Sequence, residues 1–285
     1  MKTDRFRRQC ESPTCPYRKR LWRAWLEPQG GLSLDGRWYC SPVCFQGALV
    51  TAIEQLLPVA ARPQTKPHRV PLGLLMLSRG YVDNEQLKKA LKAQKDSGSG
   101  RVGEWLRHIG AATEEQVTKV LGVQWSIPVF PLNQTRRYLE CADLVPFPLL
   151  QVAEMVPVHY LPANQLLYLA FVDRINYTAL YSVEKMLECH TEPCLALQSH
   201  VQQAFEELQS KHLSVEAVID NLSGPGEMAT LIFSYAARVG ANQVRVSGFS
   251  GFIWTRFLSP SGMSDLLFRV RRDQPELDIH PAAQE

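Results

Sequence analysis

Four cysteines stand near the start of the chain in two short-spaced pairs, Cys10-x4-Cys15 and Cys40-x3-Cys44, with 24 residues between the pairs. Zinc takes four soft thiolate ligands in a tetrahedron, and two close pairs on separate turns supply them while closing a loop. The spacings are longer than the common x2 pairs, so four unrelated thiols are the competing reading. Arg37-Trp38-Tyr39 reads as a strand leading into Cys40. Ser41 and Pro42 suit the N-cap and first turn of a helix that contains Cys44 and runs through Phe45 to Leu57. So short a segment with few aliphatics needs a metal or another staple to fold. The opening MKTDRFRRQC lacks the apolar core of a secretory signal, and seven cysteines are an odd number. Reduced thiols or metal ligands in a cytoplasmic protein are expected, rather than a disulfide framework.

Other groupings point to no catalysis. Cys189-His190, Cys194 and His200 read as buried thiols and surface histidines rather than a second metal cluster or a nucleophile with its base. His108 reads as solvated, although it lies near a glycine corner. Cys141 reads as a core residue, and Glu206-Glu207 as part of a solvated helix face. No Gly-x4-Gly-Lys-Ser/Thr occurs, so no lysine is present to reach the β/γ-phosphates of a nucleoside triphosphate. ATP hydrolysis is not expected, and the chain reads as no enzyme.

Two 24-residue units follow a proline-rich stretch. PLGLLMLSRGYVDNEQLKKALKAQ spans 71–94 and RVGEWLRHIGAATEEQVTKVLGVQ spans 101–124. Aligned without gaps, they share Gly73/Gly103, Gly80/Gly110, Glu85/Glu115, Gln86/Gln116, Lys89/Lys119, Leu91/Leu121 and Gln94/Gln124. Each reads as a short helix, a glycine C-cap and a second helix. Asp83 and Thr113 are N-caps, with Gln86 and Gln116 at the capping-box position. Two units are too few for a solenoid, so the pair must pack on something else.

This pattern resembles the MshEN-type domain, the N-terminal region of many type II secretion and type IV pilus ATPases. The resemblance extends through Asp143-Leu144-Val145-Pro146, a helix to Val156, a strand at Val158-His159-Tyr160 and its partner at 166–172. It continues with Asp173-Arg174-Ile175-Asn176, a helix at 177–187, a strand near 193–197 and a helix capped by Ser199. It implies cyclic di-GMP binding. Matched position by position, the implied ligand-binding residues are Arg101, Val102, Gly103, Leu106, Gly110 and Gln124 in the second unit. In the first they are Leu72, Gly73, Gly80 and Gln94, with Arg69 standing in upstream because Pro71 occupies the arginine position; Asp173 completes the set. Glycine corners let backbone amides approach phosphates, and arginine pairs with guanine or phosphate. Helix capping and close packing are the competing explanation for the four glycines.

The expected fold class is therefore an α+β multidomain chain. A small four-cysteine zinc finger at 1–57, resembling a treble clef, leads through a linker at 58–70 to an MshEN-like domain at 71–212. Within that domain a tandem helical-hairpin repeat packs with an α/β part at 130–212. A small C-terminal α/β module at 224–273, resembling a degenerate secretion-ATPase segment, and a tail at 274–285 complete the chain. In the module, a helix at 227–239 precedes strands at 243–247, 252–258 and 265–271, with Val244, Val246, Phe252, Trp254 and Phe257 facing inward. Hydrophobic residues make up 45% and charged residues 21%, which suits a globular protein with no membrane span. Residues 1–70 hold twelve Lys/Arg against five Asp/Glu. Arg5, Arg7, Arg8, Arg18, Lys19, Arg20 and Arg23, interleaved with Trp22 and Trp25, permit nucleic-acid contacts by the head, with a solvated shell as the alternative. The leading expectation is a non-enzymatic cyclic di-GMP-responsive adaptor. The alternative is a scaffold that binds nucleic acid or a secretion or pilus ATPase and has lost the nucleotide.

Overall fold

The computed structural model describes residues 9–16, 31–61, 69–211, 217–220, 222–249 and 251–270. The basic and aromatic residues of the head named above, most of the expected linker and the tail lie outside the described residues. Strands β1 (Leu32–Leu34) and β2 (Arg37–Tyr39) form a hairpin over Asp35-Gly36, which hold φ of 47° and 79°. A two-residue Asp-Gly turn of this kind matches the twist of the flanking strands. Helix α1 (Pro42–Ala61) follows, its Cys44 amide donating to Ser41 Oγ at 3.3 Å.

The tandem units give α2 (Leu72–Ser78), α3 (Asn84–Ser97), α4 (Val102–His108) and α5 (Glu114–Trp125). After 3-10 turns at Leu132–Gln134 and Arg137–Leu144 come α6 (Phe147–Ala153), β3 (Met155–Leu161) and β4 (Leu166–Phe171). Next are α7 (Tyr177–Leu187), β5 (His190–Leu195) and α8 (Gln198–Lys211). The described residues end with β6 (Ala217–Ile219), α9 (Pro225–Arg238), β7 (Gln243–Phe249), β8 (Phe252–Ser259) and β9 (Gly262–Arg269).

These elements make an α+β architecture of two compact units, one formed by Met1–Arg62 with Ala217–Glu285, the other by Pro63–Glu216. The first is one six-stranded sheet in the order β2-β1-β7-β8-β9-β6. Strand β1 lies parallel to β7, pairing Ser33 with Gln243 and Leu34 with Val244. The expected separation of a head from a C-terminal module is therefore corrected: they share one sheet and one core. Helices α1 and α9 cover a sheet face, and Phe45, Leu49 and Ile53 meet Ile232, Val244, Ile253, Phe257 and Phe268. The reason is burial, since two three-residue strands cannot bury a face alone.

Other boundaries shift as well. Helix α1 runs past Leu57 and Pro58 to Ala61, because Ala60 is buried against β7 at Gly248, where a Cβ would lie 3.0 Å from the Leu56 carbonyl oxygen. Helix α6 stops at Ala153 instead of Val156, with Glu154 at φ 49°. Strand β5 begins at His190, and Ser199 lies inside α8 rather than capping it. Phe257 faces α1 and α9, whereas Phe252 and Trp254, an odd number of residues away, lie on the opposite sheet face. Among the described residues only α1 is long and apolar enough to cross a membrane, and Phe45, Leu49 and Ile53 are fully buried in its unit.

In the second unit β3 pairs antiparallel with β4, and β4 parallel with β5, with α7 as the crossover. The tandem units are intertwined: α3 packs on α4, and α2 on α5. Gln94 Nε2 donates to the Gly100 carbonyl at 2.8 Å, and Gln124 Nε2 to the Val70 carbonyl at 2.6 Å. Each unit thus closes with a glutamine tied to the residue that precedes the other unit's first position.

Candidate functional site

A cavity of about 210 Å³ lies where the repeats meet the α/β layer. Leu72, Val102, Gly103, Val117, Leu121, Trp125 and Val172 supply its apolar walls. Arg101, Glu104, Arg107, Glu114, Thr118, Gln124, Asp173, Arg174 and Gln198 supply its polar groups. Helix α4 brings Arg101 there as its N-cap residue, with Glu104 Oε2 accepting from the Arg101 amide at 3.0 Å. The Arg101 guanidinium donates to Asp173 Oδ2 and lies 3.6 Å from Glu154 Oε2. Burial works against its charge, but Asp173 and then Glu154 outweigh that effect and hold Arg101 above the usual arginine value. Arg107 donates to Gln198 Oε1 at 2.8 Å and lies 3.7 Å from Glu114 Oε1. Glu114 Oε1 also accepts from the Ser199 amide at 2.8 Å in the first turn of α8. Trp125 Nε1 donates to the Asp173 carbonyl at 3.0 Å. The three arginines and three carboxylates give the lining no net formal charge.

Of the twelve residues expected at a ligand, six line this cavity: Leu72, Arg101, Val102, Gly103, Gln124 and Asp173. Arg69 sits behind it, with its guanidinium carbon 3.9 Å from the Trp125 ring centroid and Nη1 donating to the Gln124 carbonyl at 2.7 Å. Gly73 is buried where a Cβ would lie 2.7 Å from Leu87 Cδ1. Gly80 and Gly110 turn the chain at φ 67° and 70°, conformations in which L-residues are strained. Leu106 is fully buried and Gln94 ties the two units together. These six are placed as structural groups rather than cavity lining. Gly103 does both, since a Cβ there would lie 2.9 Å from Val117 Cγ1 and 3.1 Å from Leu72 Cδ2.

Sequence reasoning missed Glu104, Arg107, Glu114, Trp125, Arg174 and Gln198. Glu104, Arg107 and Glu114 were detectable in principle as charged positions of the second unit that have no charged counterpart in the first, where Leu74, Leu77 and Asn84 stand.

In the other unit, the Cys10, Cys15, Cys40 and Cys44 sulfurs all lie within 4.8 Å of one another, and none forms a disulfide. Cys15 Sγ is 3.6 Å from Cys40 Sγ, and Cys10 Sγ accepts from the Cys40 amide at 3.5 Å. A tetrahedral thiolate site with metal–sulfur bonds of about 2.3 Å places its sulfurs about 3.8 Å apart, so the cluster fits a metal ion. The β2–α1 junction supplies Cys40 and Cys44. Burial pushes the Cys10 and Cys40 thiols up; at Cys44 burial is outweighed by hydrogen bonds, that of Ser41 foremost, and its thiol is pulled down. Cys141, Cys189 and Cys194 are buried and dispersed, as expected for core thiols.

No protein-family model matches the chain, and no curated protein matches it. Among solved structures, the chain is similar to MshE with cdg at 26% identity, over 49% of this chain and 99% of that one, with a TM-score of 0.43. It is also similar to the N-terminal domain of XpsE at 15% identity, over 50% of this chain and 97% of that one, with a TM-score of 0.37. The chain resembles an MshEN-type domain protein with a cysteine cluster near its N-terminus.

Proposed function

We propose that this chain is a non-enzymatic, cyclic di-GMP-responsive adaptor of the cytoplasm, related to the regulatory N-terminal region of type II secretion and type IV pilus ATPases. Its protein partner is then a component of secretion or pilus machinery. The observation that carries the reading is the placement of Arg101. The residue that opens the second motif meets Asp173 of the α/β layer at a cavity walled by both. Arginine and carboxylate side by side offer donors and acceptors to a nucleobase, and the aliphatic and indole walls offer a face for stacking. In the other unit Cys10, Cys15, Cys40 and Cys44 would hold one structural Zn²⁺, which supplies cross-linking and no chemistry. Calorimetric titration of the whole chain with cyclic di-GMP is expected to show saturable binding. Absence of binding at high micromolar ligand would reject the sensor reading. One observation favours the alternative of a scaffold that has lost the nucleotide: Arg101 and Arg107 are already engaged by Asp173, Glu154 and Glu114.

A further inference from the structure

A duplicated motif offers two equivalent grips, but the two halves of this repeat are not chemically equivalent. Thirty residues separate corresponding positions. Where the second unit has Arg101, Glu104, Arg107 and Glu114, the first has Pro71, Leu74, Leu77 and Asn84. Among the residues that line the cavity, the first unit contributes Leu72 alone, and every charged group comes from the second unit or the α/β layer. The one arginine close upstream of the first unit, Arg69, stacks on Trp125 and donates to the Gln124 carbonyl, so its guanidinium is spent on holding the two units together.

Size and charge point the same way. At about 210 Å³ the cavity is smaller than the roughly 300–1,000 Å³ of sites that enclose a whole drug-sized ligand. Its lining carries as many carboxylates as arginines, so it has no net attraction for a phosphate. A neutral ring with both donors and acceptors on its edges suits it better. Guanine presents O6 and N7 as acceptors and N1–H and N2–H₂ as donors. Arg101 can donate to the first pair and Asp173 accept from the second, between walls of Val102, Val117 and Trp125. Adenine carries an amino donor where guanine has O6, and it has no N1–H or N2–H₂ for the carboxylate.

We infer that, of the two repeats, only the second supplies polar groups to the site, which with Asp173 of the α/β layer reads one guanine base and leaves the rest of the nucleotide outside. This deepens the proposed function and rests on it. The chain then responds to cyclic di-GMP as one of several guanine nucleotides, because it does not distinguish a cyclic dinucleotide from a guanine mononucleotide. The test is calorimetry on the full chain with cyclic di-GMP, its linear dinucleotide, GMP and AMP. The three guanine ligands are expected to agree within about tenfold, and AMP to bind at least tenfold more weakly than GMP. Asp173→Asn should remove the preference for GMP over AMP, with thermal unfolding as the check on folding. Cyclic di-GMP binding more than a hundredfold tighter than GMP would overturn the single-base site while sustaining the sensor reading. Equal binding of AMP and GMP would overturn the guanine contact. No binding of any guanine ligand would remove both readings together.

Discussion

Arg101 and Arg69 are both arginines beside the repeat, but their surroundings separate their roles. Arg101 faces the cavity and Asp173. Arg101→Ala should cost about 1.5–3 kcal/mol of nucleotide binding, or ten- to over a hundredfold in affinity by calorimetry. It removes a charge-assisted donor and leaves Asp173 and Glu154 without their shared cation. Arg69 lies against Trp125 and the end of α5 instead. Arg69→Ala should weaken binding by no more than a few-fold while lowering stability by about 1 kcal/mol, the scale of one cation–π contact and one hydrogen bond. A thermal melt beside the titration separates the two effects.

At the scale of elements, the repeat is held by its corners. Asp83 and Thr113 accept from the Gln86 and Gln116 amides, and both glutamine side chains accept from the cap amides in return. Thr113→Ala should cost about 1 kcal/mol in urea unfolding, whereas Gly110→Ala should cost roughly 1–2 kcal/mol because Gly110 is left-handed at φ 70°. The α/β layer has its own sensitivity, to alkali. Burial raises the Cys194 thiol to about 12 and the Cys189 and Cys141 thiols to about 11. Burial and the hydrogen bond to Glu207 raise the Tyr138 hydroxyl to about 12. All four are raised above their unfolded values, so their contribution is fully present below about pH 9 and is lost as pH climbs toward 11–12. The urea midpoint followed by tryptophan fluorescence should be flat from pH 7 to 8.5 and fall above pH 9. Cys194→Ala should flatten part of that fall.

At the scale of the whole molecule, the cysteine cluster belongs to the unit that also holds strands β6 to β9. Tyr39 stacks edge-on against Phe45, Phe45 meets Phe233 of α9, and the Val246 amide donates to Asp35 Oδ1 at 3.1 Å. A metal held by Cys10, Cys15, Cys40 and Cys44 therefore pins the β1–β2 hairpin to β7. Metal analysis should find about one zinc per chain, as one closed four-ligand site implies. Chelation or Cys40→Ser should expose not only residues 31–44 but also the amides of Gln243–Phe249 to hydrogen exchange, while 69–211 stays protected. Unchanged exchange in β7 would show that the cluster does not support the sheet.

The sequence alone determined the parts whose causes are local. Capping boxes, the glycine corners at Gly80 and Gly110 and the pairing of four cysteines depend on residues a few positions apart and were legible from spacing, whereas the bounds of α7 came from the family resemblance. The family resemblance assigned Arg101 and Asp173 to one ligand, and the structure places the two side by side. Only the tertiary structure decided what depends on distant segments. Nothing near Leu32 shows that β1 will lie against Val244, because a three-residue strand gains its stability from a sheet edge more than two hundred positions away. The jobs of Gly73 and Gly103 were hidden for the same reason, since close packing against Leu87 and Val117 appears only once two helices cross. Arg107 and Glu114 reached the cavity by the intertwining of the units, which brings α4 and α5 to the first turn of α8. Periodicity reports which face of a helix is buried, but not what another segment will place against it.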